Sequence, residues 1–271
     1  MLSGKEMSKS IYLGSGFFIM QKKDSQDSVH LPPIEFSKNQ LTYFVVVSIS
    51  LWTIAFSLWF QTGIDQSILF YLNAYHVNSN LVMINRLLTD YGMSVITLVF
   101  AGYLALSFKI ANLENGRQAF LFFILSFAVS SIAGDVLKEI IDRTRPFVQY
   151  RGQIHSFSRA SSPSFPSGHA TKSISLVLPF IFFCPYQGRI HNLLKWLLGF
   201  LALGVCFSRM FLAAHFFSDI VAAAALVFTC LPFSAIPSNH IGKRMKPARW
   251  ATAAKRWMLV YLALSVLLHV L

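Results

Sequence analysis

Two histidines, three cations and a carboxylate stand in this sequence at spacings that suit phosphoryl transfer. His215 and Asp219 are four positions apart, a spacing that stacks them on one face of a helix. A carboxylate there accepts from one ring nitrogen, fixes the tautomer and leaves the other nitrogen free to attack. His169 stands where it can protonate a leaving oxygen, so the pair calls for a neutral His215 and a cationic His169. Lys138, Arg145 and Arg209 are three cations that repel one another unless an anion joins them. A guanidinium matches phosphate oxygens in pairs, and Lys adds a point charge. Lys138 and Arg145 are seven apart and share a face if their helix runs that far, with Pro146 as its stop. Ser167 and Gly168 fall where a loop becomes a helix, where backbone N–H groups suit an anion and Gly permits close approach. The expected product is a phosphate cradle with no metal and no cofactor.

These residues fall in three clusters, Lys138–Pro146, Pro166–His169 and Ser208–Asp219, and apolar segments must position them. Uncharged or nearly uncharged windows cover 39–64, 91–108, 118–134, 173–188, 193–213 and 220–242. Each is near the ~20 residues of a membrane-spanning helix, the fourth being short. The fold expectation is an all-α, polytopic membrane helix bundle of six core spans. Residues 257–271 read equally as a short seventh span or an interfacial helix. Residues 66–85 are uncharged but interrupted by Asn73, Asn78, Asn80 and Asn85, so they read as an interfacial or re-entrant segment. Span parity puts all three clusters at one membrane face.

The whole chain agrees with this layout. Of 271 residues, 55% are hydrophobic and 13% charged, with 26 Phe and a mean hydropathy of +0.55. Soluble domains carry about 25% charged residues. This excludes a disordered or fibrous chain and most soluble domains. The formal charge is +12, and its placement favours lipid head groups or phosphorylated substrates over nucleic acid. Lys and Arg in residues 1–40, 109–117, 185–195 and 240–256 mark the cytoplasmic side. Lys138, Arg143, Arg145, Arg151, Arg159, Lys172 and Arg209 break that pattern on the other side, and a bound anion would account for them. Arg143, Arg151, Arg159 and Lys172 could hold a second phosphate, although a solvated loop is the simpler reading. Asp142 could pair with Lys138, and Asp135 could orient it. Cys184, Cys206 and Cys230 read as small apolar core residues, and the five Trp as interface belts or packing. The expected organisation is a cytoplasmic tail at 1–40, a six-span domain at 41–236, and a basic linker with an apolar helix at 237–271.

The motifs K-x6-R-P (Lys138, Arg145, Pro146), P-S-G-H (Pro166, Ser167, Gly168, His169) and S-R-x5-H-x3-D (Ser208, Arg209, His215, Asp219) resemble those of the type 2 phosphatidic acid phosphatase superfamily. That superfamily includes bacterial lipid phosphatases and the vanadium-dependent haloperoxidases. Every fixed position is filled, and the resemblance covers roughly 90 to 235. It implies an integral membrane lipid phosphatase with its site at the periplasmic or outer face of the cytoplasmic membrane. His215 would be the nucleophile, Asp219 its orienting partner and His169 the acid. Lys138, Arg145, Ser167, Gly168 and Arg209 would bind phosphate. Lipid A, undecaprenyl pyrophosphate and phosphatidylglycerol phosphate are the substrates it suggests, and the basic loop favours a highly phosphorylated head group. A lipid phosphotransferase using the same residues, or a non-catalytic anion channel or transporter, are the rival readings. The oligomeric state is open.

Overall fold

A chain in hydrocarbon must satisfy its backbone polar groups within itself, and for apolar windows of this length the solution is the helix. The computed structural model describes residues 11–13, 18–20, 34–109, 116–157, 161–183 and 188–244. A short antiparallel pair joins Ile11–Leu13 (β1) to Phe18–Met20 (β2). The rest is helical: α1 Lys38–Phe60, α2 Thr62–Asn73, a 3-10 turn at Ala74–Val77, α3 Ser79–Lys109, α4 Gly116–Ile141, α5 Pro146–Gln149, α6 Gly168–Phe183, α7 Arg189–Phe211 and α8 Phe217–Arg244. The six apolar windows fall on α1, α3, α4, α6, α7 and α8, and the molecule is the expected polytopic bundle. Among the described residues, four helices are long and apolar enough to cross a membrane, and α6 is a shorter apolar helix. Most of the N-terminal tail, Arg159, Cys184 and the stretch 257–271 lie outside the described residues.

Helices α6 and α8 are central. Helix α6 packs on α3, α4, α7 and α8, while α8 packs on α1, α2, α4 and α6. Within its apolar window α8 is 56% buried, against 17% for α1. The apolar residues that α1 and α7 leave exposed, such as Val46, Ile49, Phe200 and Leu203, suit lipid contact rather than water. One end of the bundle is filled by aromatics: Phe44, Phe120, Phe122, Phe123, Phe180 and Phe183 are buried together, with Phe122–Phe183 and Phe123–Phe180 edge to face. That arrangement favours the ring quadrupoles and explains part of the Phe excess. The three motif clusters occupy the opposite end.

Two local expectations are corrected. Residues 66–85 are not one interfacial segment. Asn78 caps α3, its side chain accepting from the Leu81 amide at 3.1 Å, so 79–85 begins the long helix that continues through the second window. Asn73 instead pins the loop before α6, exchanging bonds with the His155 carbonyl (2.7 Å) and amide (2.9 Å). Helix α4 does not carry Lys138 and Arg145 on one face. It ends at Ile141, and Asp142 turns out of it at φ 45°. Residues 142–145 then lead to Arg145 in extended backbone, and Pro146 opens α5. A proline at the first helical position starts the short helix rather than stopping the long one.

Candidate active site

Four chain segments meet at the end opposite the aromatic core. Helix α7 brings Arg209 to its last turn. The chain then reverses: Ala213 takes φ 55°, and the Arg209 carbonyl accepts from the amides of Ala214 (3.0 Å) and His215 (3.2 Å). This turn satisfies helix-end carbonyls that would otherwise be orphaned. It also places His215 beside the helix end that carries Arg209. The Thr89 hydroxyl on α3 bonds Ser208 at 2.7 Å, fixing that last turn.

His215 precedes α8 rather than lying on it, so its contact with Asp219 is not made across a helix face. Asp219 is the third residue of α8, and its Oδ2 accepts from the Phe216 amide at 2.9 Å. This is half of a capping box, and it swings the carboxylate back toward the preceding turn. There Oδ2 meets His215 Nδ1 at 3.3 Å and accepts from the Ser164 hydroxyl at 2.5 Å. On the far side of the ring, Arg145 Nη1 stands 3.2 Å from His215 Nε2. These partners assign the tautomer: Nδ1–H donates to Asp219, and the Nε2 lone pair faces the cation. His215 and Asp219 are both buried. Burial is the largest influence on the imidazole and pushes its pKa down to about 4; Asp219 opposes the shift, while Arg145 and Arg209 add to it. His215 is therefore neutral at pH 7.

The cradle surrounds that ring. Lys138, Arg145 and Arg209 are each less than one tenth exposed. Arg145 is held by the Ser162 carbonyl (2.6 Å), the Ala214 carbonyl (3.0 Å) and the Ser162 hydroxyl (3.0 Å). Lys138 Nζ reaches the Pro163 carbonyl at 3.5 Å rather than pairing with the exposed Asp142. It also lies 3.5 Å from where a Cβ on Gly168 would sit, so the bare glycine keeps the helix start close to the ammonium. The Ser167 amide donates to the Asp219 carbonyl at 3.1 Å, tying the start of α6 to α8. Ser167 Oγ and Arg209 Nε are buried and, among the described residues, have no hydrogen-bond partner. Buried donors without partners are costly, and an anion would satisfy both. His169 is half-buried in the first turn of α6, and its burial and the nearby cations Arg209 and Lys138 by themselves disfavour the cationic ring that the sequence reading expects. All eight sequence-predicted residues thus gather at one end of the bundle.

Three participants escape the sequence reading or depart from it. Ser164 bonds Asp219. Arg143 is not in a solvated loop: it is buried and bonds Asp219 Oδ1 at 2.7 Å and Asp65 Oδ2 at 2.9 Å. It reaches the site because the extended residues after α4 turn its side chain inward, between the rings of Trp59 and Phe216. The third is Asp65, whose signal was present as the single charge between residues 39 and 85. Arg151 and Lys172 are exposed, as a solvated surface requires.

Residues 119–241 match the model of the PAP2 superfamily, and this stretch contains all three motifs. This match agrees with the resemblance that the three motifs carry. Phosphatidylglycerophosphatase B of Bacillus subtilis (strain 168) is 29% identical over 110 residues, covering 39% of this chain and 51% of that protein. The chain thus spans about half the length of the curated relative it matches. The crystal structure of the first transmembrane PAP2 type phosphatidylglycerolphosphate phosphatase from Bacillus subtilis superposes with a TM-score of 0.53 at 20% identity. That match covers 76% of this chain and 98% of the other, and it shows a shared fold.

Proposed function

We propose that this protein is an integral membrane lipid phosphatase that hydrolyses a phosphomonoester or pyrophosphate on a lipid head group through a phosphohistidine at His215. One observation carries the reading. A neutral, tautomer-fixed imidazole points its Nε2 lone pair at the buried Arg145, beside two buried donors that lack partners among the described residues.

The substrate phosphoryl group takes up those free donors, Ser167 Oγ and Arg209 Nε, and lies against Arg145 and Lys138. The Nε2 lone pair attacks phosphorus in line, the P–O bond to the lipid breaks, and its electron pair leaves with the lipid oxygen. His169, kept protonated by the bound phosphate dianion against the surrounding cations, supplies the proton to that oxygen. Asp219 stabilises the positive charge that develops on the His215 ring. Water then attacks the phosphohistidine, giving a proton to His169 and releasing phosphate, with His215 neutral again. The fixed cations neutralise the phosphoryl oxygens, so the rate is expected to survive a chelator. The site lies at the end of the bundle away from the Lys- and Arg-rich connections. That placement supports a site on the outer face of the cytoplasmic membrane, where the lipid keeps its chains in the bilayer. Phosphatidylglycerol phosphate is the first substrate to test, given the name of the Bacillus relative.

The test is phosphate release from phosphatidylglycerol phosphate, undecaprenyl pyrophosphate and lipid A in detergent, with and without chelator. It is paired with acid-quench trapping of labelled phosphate on the protein. His215→Ala should abolish release and trapping while remaining folded. Full activity in that variant defeats the mechanism.

A further inference from the structure

We infer that Arg143 and Asp65 form a buried charge relay that fixes and tunes Asp219, making both of them positioning residues for His215. The inference rests on the reading of His215 as nucleophile and adds a third layer behind it.

The geometry is closed on every side. Arg143 Nη1 donates to Asp219 Oδ1 at 2.7 Å and to Ser218 Oγ at 2.6 Å, and Nη2 donates to Asp65 Oδ2 at 2.9 Å. Asp65 Oδ1 accepts from the Ser218 amide at 3.0 Å, and its Oδ2 also accepts from the Ser218 hydroxyl. The guanidinium lies 4.8 Å from the centroid of the Trp59 ring and 4.2 Å from that of Phe216. Asp65, Arg143 and Asp219 are all buried. The side chains of Arg143 and Asp65 bond Ser218, Asp219 and each other rather than the phosphate cradle: Arg143 is spent on two carboxylates, which accounts for one cation of the basic cluster without a second anion.

The division of Asp219 is the central point. Arg143 holds Oδ1, leaving Oδ2 for His215, Ser164 and the Phe216 amide. A carboxylate gripped at one oxygen cannot rotate away from the ring. Two carboxylates share one guanidinium, so a net negative charge is left facing the imidazole, where it favours the charged ring formed on attack. Other groups also face this system. His215 sees Arg145, Arg209 and His169, and Lys138 acts on Asp219. The relay therefore works against a fixed cationic background, and its two members push His215 in opposite directions.

That opposition supplies the test. Full-length protein in detergent is labelled with ¹³C-histidine, and the His215 resonance is identified by its loss in His215→Gln. Its titration is followed alongside phosphate release from phosphatidic acid micelles. Arg143→Gln should move the His215 titration up by about one unit, because a cation is lost. Asp65→Asn should move it down, because Arg143 then bears on Asp219 alone. Arg143→Lys keeps the charge but not the fork, so the titration should stay near wild type. Its kcat should fall tenfold or more with KM little changed, since substrate is not touched. Shifts in the same direction for Asp65→Asn and Arg143→Gln, or wild-type titration and kcat in Asp65→Asn, overturn the relay. If Arg143→Gln does not fold, Asp65→Asn and Arg143→Lys carry the test. Undiminished phosphate release by His215→Gln would sink the nucleophile assignment instead, a result separable from any failure of the relay.

Discussion

Asp219 holds four partners at once: Arg143, Ser164, the Phe216 amide and His215. Ser164 makes the short one, a neutral hydroxyl on a buried carboxylate, and such bonds are worth roughly 1.5–3 kcal/mol. Ser164→Ala should therefore lower kcat by about tenfold to a hundredfold with KM little changed, measured as lipid phosphate hydrolysis. A second expectation concerns His215 and pH. Its folded pKa, about 4, lies below the usual value near 6.5. The unfolded chain thus takes up a proton that the folded protein refuses. Stability from this group is intact above about pH 6.5 and is lost as pH falls toward 4. The melting temperature in detergent should drop across that window, and less steeply in His215→Gln. The sequence made the inner residues legible because charged and polar groups at the ends of apolar windows need a reason. Ser164 was illegible because a loop serine looks like any other. Arg143 was misread because one arginine in a basic run looks solvated until the backbone shows which way it turns.

Helices were legible from the length of their apolar windows, but their ends were not, because local capping sets them. Asp142 and Ala213, both at positive φ, decide where α4 and α7 stop, and nothing in hydropathy marks either. The pairing of α3 with α7 likewise depends on small residues, Gly92 on one helix and Gly204 on the other. A Cβ on Gly92 would stand 2.5 Å from Val205 Cγ2, too close for any real contact. Small residues at such crossings let helix backbones approach. Gly92→Ala should destabilise the bundle by about 1–3 kcal/mol through overpacking. Val205→Ala in the same chain should recover most of the loss, because it removes the colliding methyl. Melting temperatures of the two single variants and the double variant form a cycle that isolates the contact. A purely additive result would mean that α3 and α7 do not meet at this pair. Thr89, one turn before Gly92 on α3, holds Ser208 beside Arg209. The Gly92→Ala variant should therefore lose activity along with stability.

Across the whole molecule the charges sort by end. Arg189, Lys195, Lys243 and Arg244 lie at or toward the helix ends that share the aromatic core, where the positive-inside tendency assigns the cytoplasm. The cations at the other end violate that tendency on a residue count, yet several are folded inward. Arg143 is matched by Asp65 and Asp219, Arg145 is wrapped in carbonyls, and Arg86 lies over the Phe157 ring at 4.9 Å. With those cations matched inside the fold, the basic connections at the aromatic-core end are expected to face the cytoplasm. Single cysteines make this measurable, since Cys206 and Cys230 are buried and Cys184 can be replaced by Ser. A cysteine at the exposed Arg151 should react with a membrane-impermeant maleimide added outside spheroplasts. One at the exposed Arg189 should react only after the membrane is opened. The opposite pattern would put the cradle in the cytoplasm and require its lipid to come from the inner leaflet. Labelling of both positions from outside would mean that α6 does not cross the bilayer, which its 16 described residues, about 24 Å of helix, leave as the tightest fit in the bundle.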